Sequence, residues 1–483
     1  MNVSRLGHCA VLLCAVLSTV PAWSAEPEQP AVDPAVLARI RDAAMQSDWA
    51  YQRLADLTDK IGPRLSGSPQ AEAAVAQVSA ALEAAELKVT LQPAKVPHWV
   101  RGEEKAVLVD YPGRPEGLSQ RLVLTTLGGS VATPKDGITT QVLVVHDFDE
   151  LKARAAEAKG KIVVFDHPYD QVLAENGQSG PAYGQGVAYR VGGASAAAKA
   201  GAVAALVRSV GGANYRLPHT GVMRYEDGVP KVPTAALTAE DAMLVDRLAA
   251  QGPVTMHLVL TPQTLPDADS HNVLADIPGS DKPDEVVLVS GHLDSWDLAT
   301  GAIDDGAGVT SAMGAVQVLK SLGLQAHRTI RVVAWMNEEN GSGGSKAYFA
   351  ANKDKVAQHA AVIESDFGAG RPLGILAAIL PESVKLLKPV TAALEPLGAT
   401  VIERRDGEVG ADISPLQEAG VPGFAPFVDG RTYFNYHHTA ADTLDKVDPD
   451  NLRRQVATLA VLSYYLAEMP QPLAHLPATA GGD

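Results

Sequence analysis

Between Val286 and Asp366 the chain repeats one arrangement: a short apolar run with strand character ends in a loop carrying acids or imidazole. EVVLVSGH delivers His292, and Asp294 follows two residues later. A glycine-rich loop then delivers Asp304 and Asp305 ahead of GAGVTSAMGAVQVLKSLG, a helical pattern. HRTIRVVAWMN leads to the paired Glu338 and Glu339, and HAAVIESDF leads to Asp366. Strands alternating with helices imply an α/β fold, a mostly parallel sheet with helices on both faces. Ligands in such sheets gather beyond the carboxyl ends of the strands. Chain order alone therefore predicts one shared site for His292, Glu338, Glu339 and Asp366.

Taken singly, each residue has an ordinary reading. His292 could be a core histidine, Asp304-Asp305 a helix cap, Glu338-Glu339 a solvated strand end, and Asp366 a turn cap. His437-His438 in HHTAADT could be a surface pair. Jointly, the order His, Asp, Glu-Glu, Asp, His supplies the mixed imidazole and carboxylate donors that a divalent cation needs. The set suggests a two-metal hydrolase. Asp294 is placed to give His292 a carboxylate partner that fixes its tautomer. His146, His167 and His219 have no such companions and read as structural. GSGGS at 341–345 lacks the context of a serine nucleophile elbow.

The rest of the chain organises around this half. Residues 1–25 read as a signal peptide: a short basic start, the 12-residue apolar run CAVLLCAVLSTV, and small residues near Ala25. That run is too short to span a bilayer. Residues 26–35 read as a flexible lead-in. Residues 36–117 form an N-terminal part of the catalytic domain, with helical periodicity over 36–58 and an alanine-rich helix over 70–88. Residues 118–266 alternate short strands and helices without clustered metal-type residues, and read as an insertion. Residues 267–470 carry the metal-type residues, and 471–483 read as a frayed tail.

Composition limits the partners. The 483 residues carry a net charge of −16 without a run of Lys or Arg, which excludes nucleic acid and argues against anionic membrane surfaces. Both cysteines, Cys9 and Cys14, lie inside the signal. The exported chain would have no disulfide, no cysteine ligand and no cysteine nucleophile.

The order GHLDS, AIDDGAG, NEENGSGGS, IESDFG and HHTAADT resembles the co-catalytic di-zinc exopeptidases. KIGPRLSGS at 60–68, VPHWVRGEE at 96–104, GHLDSWD at 291–297 and AGVPG at 419–423 point to their plasma glutamate carboxypeptidase (carboxypeptidase Q) branch. The resemblance implies a zinc-exopeptidase-like fold in which 118–266 is a protease-associated-like domain. It implies two Zn2+ per chain: His292 and Asp366 on one, Glu339 and His438 on the other, with Asp304 bridging. Glu338 would be the general acid/base, moving the proton of a bridging water to the leaving amine. His438 is preferred to His437 because it stands four residues before Asp442, in the H-x-x-x-D-T spacing of these enzymes. Asp294 and Asp305 would support the ligands from behind, and the Asp304–Asp305 peptide would be cis. The donor set favours zinc, though manganese or cobalt suits it too. A homodimer is also implied.

The substrate follows as a peptide. An exopeptidase needs a carboxylate to hold a free amine, or a cation or donors to hold a free carboxylate. Arg371, Arg431, Tyr433 and Tyr436 are the candidates near the ligands in sequence. The resemblance favours an exported enzyme, periplasmic or secreted, that hydrolyses dipeptides or short peptides with free termini, of dipeptidase or carboxypeptidase type. A zinc aminopeptidase on the same fold is the alternative. A non-catalytic receptor-like protein and a glutaminyl cyclase-like transferase are remote ones.

Overall fold

A computed structural model describes residues 32–479. The alternation read from 285 onward becomes the centre of an eight-stranded sheet. Four neighbouring strands there run parallel: Arg328–Trp335, Lys282–His292, His359–Glu364 and Gly423–Val428. They are near-continuous apolar runs because helices cover both faces. On Lys282–His292, Val287 and Val289 share one core with Val309 and Leu459 of the helices Ala307–Ser321 and Pro449–Glu468. Val286 and Leu288 point the other way, into a core with Tyr348 and Leu416. The margins are antiparallel, so the sheet is mixed. Lys88–Val100 pairs with Gln263–Ile277, which pairs with Arg328–Trp335. On the far side Pro372–Ala378 runs antiparallel to Gly423–Val428 and carries the edge strand Val401–Arg404.

Val100 lies directly opposite Gln263. The chain thus leaves the sheet and returns to the same point, and everything between is an excursion. The excursion builds a second eight-stranded sheet. Its strands run from Glu104–Asp110 to Thr255–Leu260, and these two pair antiparallel. The sheet therefore begins ahead of residue 118. Glu104–Asp110 alternates, with Ala106 and Leu108 buried, and the turn-rich stretch after it made a false boundary. The centre of this sheet is again parallel, through Ile138–Val145, Ile162–Phe165, Ala204–Arg208 and Thr234–Leu237.

Three further expectations need correction. The periodicity over 36–58 is broken into two helices, Pro34–Met45 and Trp49–Lys60. The lead-in ends at Asp33, whose side chain caps the first of them. The tail does not fray through 479: Leu473 is buried, and the Leu476 and Thr479 amides donate to the Gly420 and Glu418 carbonyls. Those bonds satisfy backbone that a polar-looking sequence left unassigned. The expected signal peptide at 1–25 lies outside the described residues. No described helix is long and apolar enough to cross a membrane.

Two glycines let the site assemble. A side chain at Gly291 would meet the Asp305 carboxylate and the Val309 amide at 2.5 Å. One at Gly308 would collide with the Ser365 carbonyl. The start of the helix Ala307–Ser321 can therefore press against the ends of two parallel strands.

Candidate metal centre

The carboxyl ends of the central strands lie side by side, and their loops converge. His292 is the last residue of its strand. Its Nε2 stands 3.2 Å from Asp304 Oδ1 and 3.4 Å from Asp366 Oδ1. Across Asp304, His438 Nε2 stands 3.1 Å from Asp304 Oδ2 and 3.0 Å from Glu339 Oε2. Two triads result, His292–Asp304–Asp366 and Asp304–Glu339–His438, each able to offer three ligand atoms to one cation, with Asp304 common to both. His437 stacks on His438 and reaches Asp304 Oδ2 at 3.4 Å, but it forms no triad with Glu339.

The imidazoles are oriented for this. A backbone carbonyl only accepts, so His292 Nδ1 donates to the Asp294 carbonyl at 3.0 Å and leaves its Nε2 lone pair facing the acids. His438 Nδ1 likewise faces the Thr220 carbonyl at 3.3 Å. The Asp294 carboxylate does something other than expected. Its Oδ1 lies 3.9 Å from His292 Nδ1 and accepts instead from the amides of Asn337, at 2.7 Å, and Glu338, at 3.0 Å. It fixes the loop carrying Glu338 and Glu339. Asp305 accepts from the His292 and Gly308 amides, both at 3.0 Å, and so ties the histidine strand to the helix start. The Asp304–Asp305 peptide is cis.

Electrostatics fit a cation. Burial pushes the Glu338 carboxyl well above its usual range, and the charges of Asp366 and Glu339 push the same way. Burial and the Asp304 charge raise Glu339 to about 7. Burial also raises Asp366, against the pull of His292. For Asp304 burial acts upward, but the surrounding imidazoles outweigh it and hold the group well below the carboxylate range. Asp304 Oδ2 accepts no hydrogen bond. Carboxylates crowded out of water around an unpartnered oxygen are stabilised together by a divalent ion. The donors present, imidazole nitrogen and carboxylate oxygen, suit such an ion.

Several residues here were not found from the sequence. Fully buried Arg64 donates to the carbonyls of Leu293 at 2.5 Å, Thr300 at 2.6 Å and Gly301 at 2.9 Å, which clamps the loop before Asp304. Asp442 accepts from the Ile303 and Asp304 amides at 2.7 and 3.2 Å. His219, read as structural, comes from the second sheet's block and faces His437 Nδ1 at 3.2 Å. Burial and the neighbouring His438 and His437 hold its pKa well below the ordinary value. Nothing near His219 in sequence signals this, because its partners lie about 220 residues away in the chain.

The site opens into a cavity of about 670 Å3, floored by Asp304, Glu338 and Asp366. Of the terminus-reading candidates, only Tyr433 lines it, stacked on Phe367 at 4.7 Å. Arg371, Arg431 and Tyr436 line an adjoining cavity of about 500 Å3, which shares Phe367 and Tyr433 with the first. Arg431 is exposed there and bonds Asp429 at 2.8 Å. Nearness to the ligands in sequence does not carry these three side chains to the cavity over the metal-type residues.

Residues 272–463 match the profile of Peptidase family M28. Carboxypeptidase Q of Homo sapiens is 42% identical over 426 residues, 88% of this chain and 86% of that protein. A peptidase M28 precursor from Shewanella amazonensis has the same fold with a TM-score of 0.86 and 36% identity, covering 92% of this chain and 98% of its own. A zinc aminopeptidase from Bacillus subtilis shares the fold, with a TM-score of 0.63 and 19% identity over 88% of this chain and 97% of its own. Fold, site and relatives together define a metallopeptidase. The chain belongs to peptidase family M28.

Proposed function

We propose that this chain is an exported di-zinc exopeptidase acting on dipeptides or short peptides with free termini, of dipeptidase or carboxypeptidase type. The observation that carries the reading is the pair of triads sharing Asp304. His292 and Asp366 would hold one zinc, Glu339 and His438 the other, and Asp304 both. His438 is chosen over His437 because it alone reaches both Glu339 and Asp304. Bound there, the cations would supply Lewis acidity for the scissile carbonyl and a water of lowered pKa. Glu338, held at the cavity floor by Asp294, would take the proton of the attacking water and pass it to the leaving amine. Asp305, Arg64 and Asp442 keep the bridging aspartate in position. The second sheet's block, 104–260, would be the inserted protease-associated-like domain; its Thr220 carbonyl and His219 brace the two histidines. The basic start and short apolar run within 1–25, read as a signal peptide, support export to the periplasm or medium, and the family resemblance supports a homodimer.

Metal analysis with a substrate panel tests this. Protein loaded with about two zinc ions per chain should hydrolyse unblocked dipeptides and lose that activity on chelation. Strong turnover of amino-acid p-nitroanilides with no preference for dipeptides would favour the aminopeptidase reading, which the shared fold with the B. subtilis enzyme keeps open. Activity that survives exhaustive metal stripping would end both.

A further inference from the structure

The stretches KIGPRLSGS, VPHWVRGEE and GHLDSWD lie far apart in sequence but meet in space. Leu65, Trp99 and Trp296, one from each, form a small apolar cluster, with Val222 of the second sheet's block packed on it. The two indoles meet edge to face at 6.5 Å. Gly128, also of that block, leaves room for them, since a Cβ there would run into the Trp296 ring.

Arg101 spans this junction. It follows Val100, where the chain leaves the first sheet. Its guanidinium lies over the Trp99 ring at 5.1 Å and is largely buried. On one side Nε donates to both oxygens of the Asp297 carboxylate, at 2.8 and 3.0 Å, and Nη2 bonds the same group. On the other side Nη1 donates to the Thr125 hydroxyl at 2.7 Å and to the Thr126 carbonyl, and Nη2 to the Thr220 hydroxyl at 3.2 Å. Glu104 closes the cluster, accepting from Nη1 at 3.2 Å. A planar fork of fixed donors suits so many acceptors, and an ammonium does not reproduce it.

The groups in this grip in turn brace two of the metal-type residues. Asp297 follows Trp296, whose amide donates to Glu339 Oε1 at 3.1 Å and whose ring faces His438 at 5.8 Å. Thr220 brackets His438: its amide donates to the His438 carbonyl at 2.9 Å, and its carbonyl faces His438 Nδ1 at 3.3 Å. His438 has a φ of 58°, a left-handed conformation that a non-glycine residue keeps only where its surroundings impose it. His292 is braced differently. Its Nδ1 bonds the Asp294 carbonyl and its amide the Asp305 carboxylate, and neither bond involves the second sheet's block.

We propose that Arg101 is a positioning residue for one cation of the pair: by holding Asp297 and Thr220 it keeps Glu339 and His438 in place, and so lets the second sheet's block set the affinity of that cation and not of the other. The inference rests on the two-metal reading above and deepens it. Arg101 acts through Trp296 and Thr220, and it bonds no metal-type residue itself.

The test is a zinc titration of metal-stripped protein against a chromogenic chelator. Wild type should take up about two ions per chain. Arg101→Met should weaken one of them by roughly ten- to hundredfold, the usual cost of losing a group that orients a metal ligand, and leave the other unchanged. In a Glu339→Gln background Arg101→Met should not alter the affinity of the ion that remains, which identifies the weakened one. Arg101→Lys keeps the charge without the fork and should recover only part of the affinity. With zinc in excess, kcat of Arg101→Met should return toward the wild-type value, which a general loss of packing would not allow. Asp297→Asn removes one side of the seat and should give the same selective loss, should Arg101→Met fail to fold. Both ions weakened equally, or both unchanged, in either folded variant overturns the inference and leaves the two-metal reading standing. Wild type that takes up only one ion, or none, removes the two-metal reading and this inference with it.

Discussion

At the residue scale Asp294 is spent on holding the loop that carries Glu338, the carboxylate proposed as the general acid/base. Glu338→Gln keeps the shape but cannot take a proton. Its kcat should fall by roughly 10²–10⁴-fold, while metal content by mass spectrometry stays at the wild-type value. A glutamine variant retaining a tenth of the activity would contradict the assignment. Asp294→Ala leaves the Asn337 and Glu338 amides without their acceptor in a fully buried place. Each orphaned amide costs about 1–3 kcal/mol, so the midpoint of urea unfolding should drop and kcat with it. Asp294→Asn keeps an acceptor oxygen and should recover most of the activity, which separates positioning from charge.

His359 shows what an element's own environment does to stability. It opens the strand His359–Glu364, where Nδ1 donates to the Lys355 carbonyl at 3.1 Å and Nε2 accepts from the Tyr348 hydroxyl at 2.9 Å. Only the neutral ring fits both bonds. Burial, with the nearby Arg331 charge, pulls its pKa from 6.5 to about 4. The unfolded chain then binds the proton first. His359 therefore contributes stability in full above about pH 6.5, and loses it as pH falls toward 4. The loss is on the order of 3 kcal/mol. Denaturant midpoints measured across that window should fall for wild type and flatten for His359→Gln; parallel curves would refute the account. At the C-terminus, deleting 471–483 removes buried Leu473 and the bonds to Gly420 and Glu418. It should cost about 2–4 kcal/mol, from one leucine and the lost hydrogen bonds, and a truncated chain as stable as the full one would show the segment to be dispensable.

Across the whole molecule the two sheets meet at the metal-type residues. The loops of one supply the acids and imidazoles; the other's block supplies His219 and the Thr220 carbonyl. Stability should therefore be linked to metal. An ion bound only by the folded chain adds about 4 kcal/mol at a thousand times its Kd. Chelation should lower the thermal midpoint, and zinc, cobalt or manganese should restore it. An unchanged midpoint in excess chelator would mean that the carboxylate cluster is tolerated without a cation.

The sequence by itself determined the parallel core and most of the acidic floor. Strand ends in a parallel sheet share one edge whatever the loops do, so His292, Glu338, Glu339 and Asp366 had to converge once their strands were recognised. Tertiary structure alone decided what surrounds them. Arg64 and His219 act through partners far away in the chain, and no local period marks such pairs. The same holds for the tail, whose order comes from backbone hydrogen bonds to Gly420 and Glu418, and for Asp294, whose carboxylate turned from the nearby histidine to the amides of Asn337 and Glu338. Periodicity reports which face of an element is buried; only the folded chain reports what that face meets.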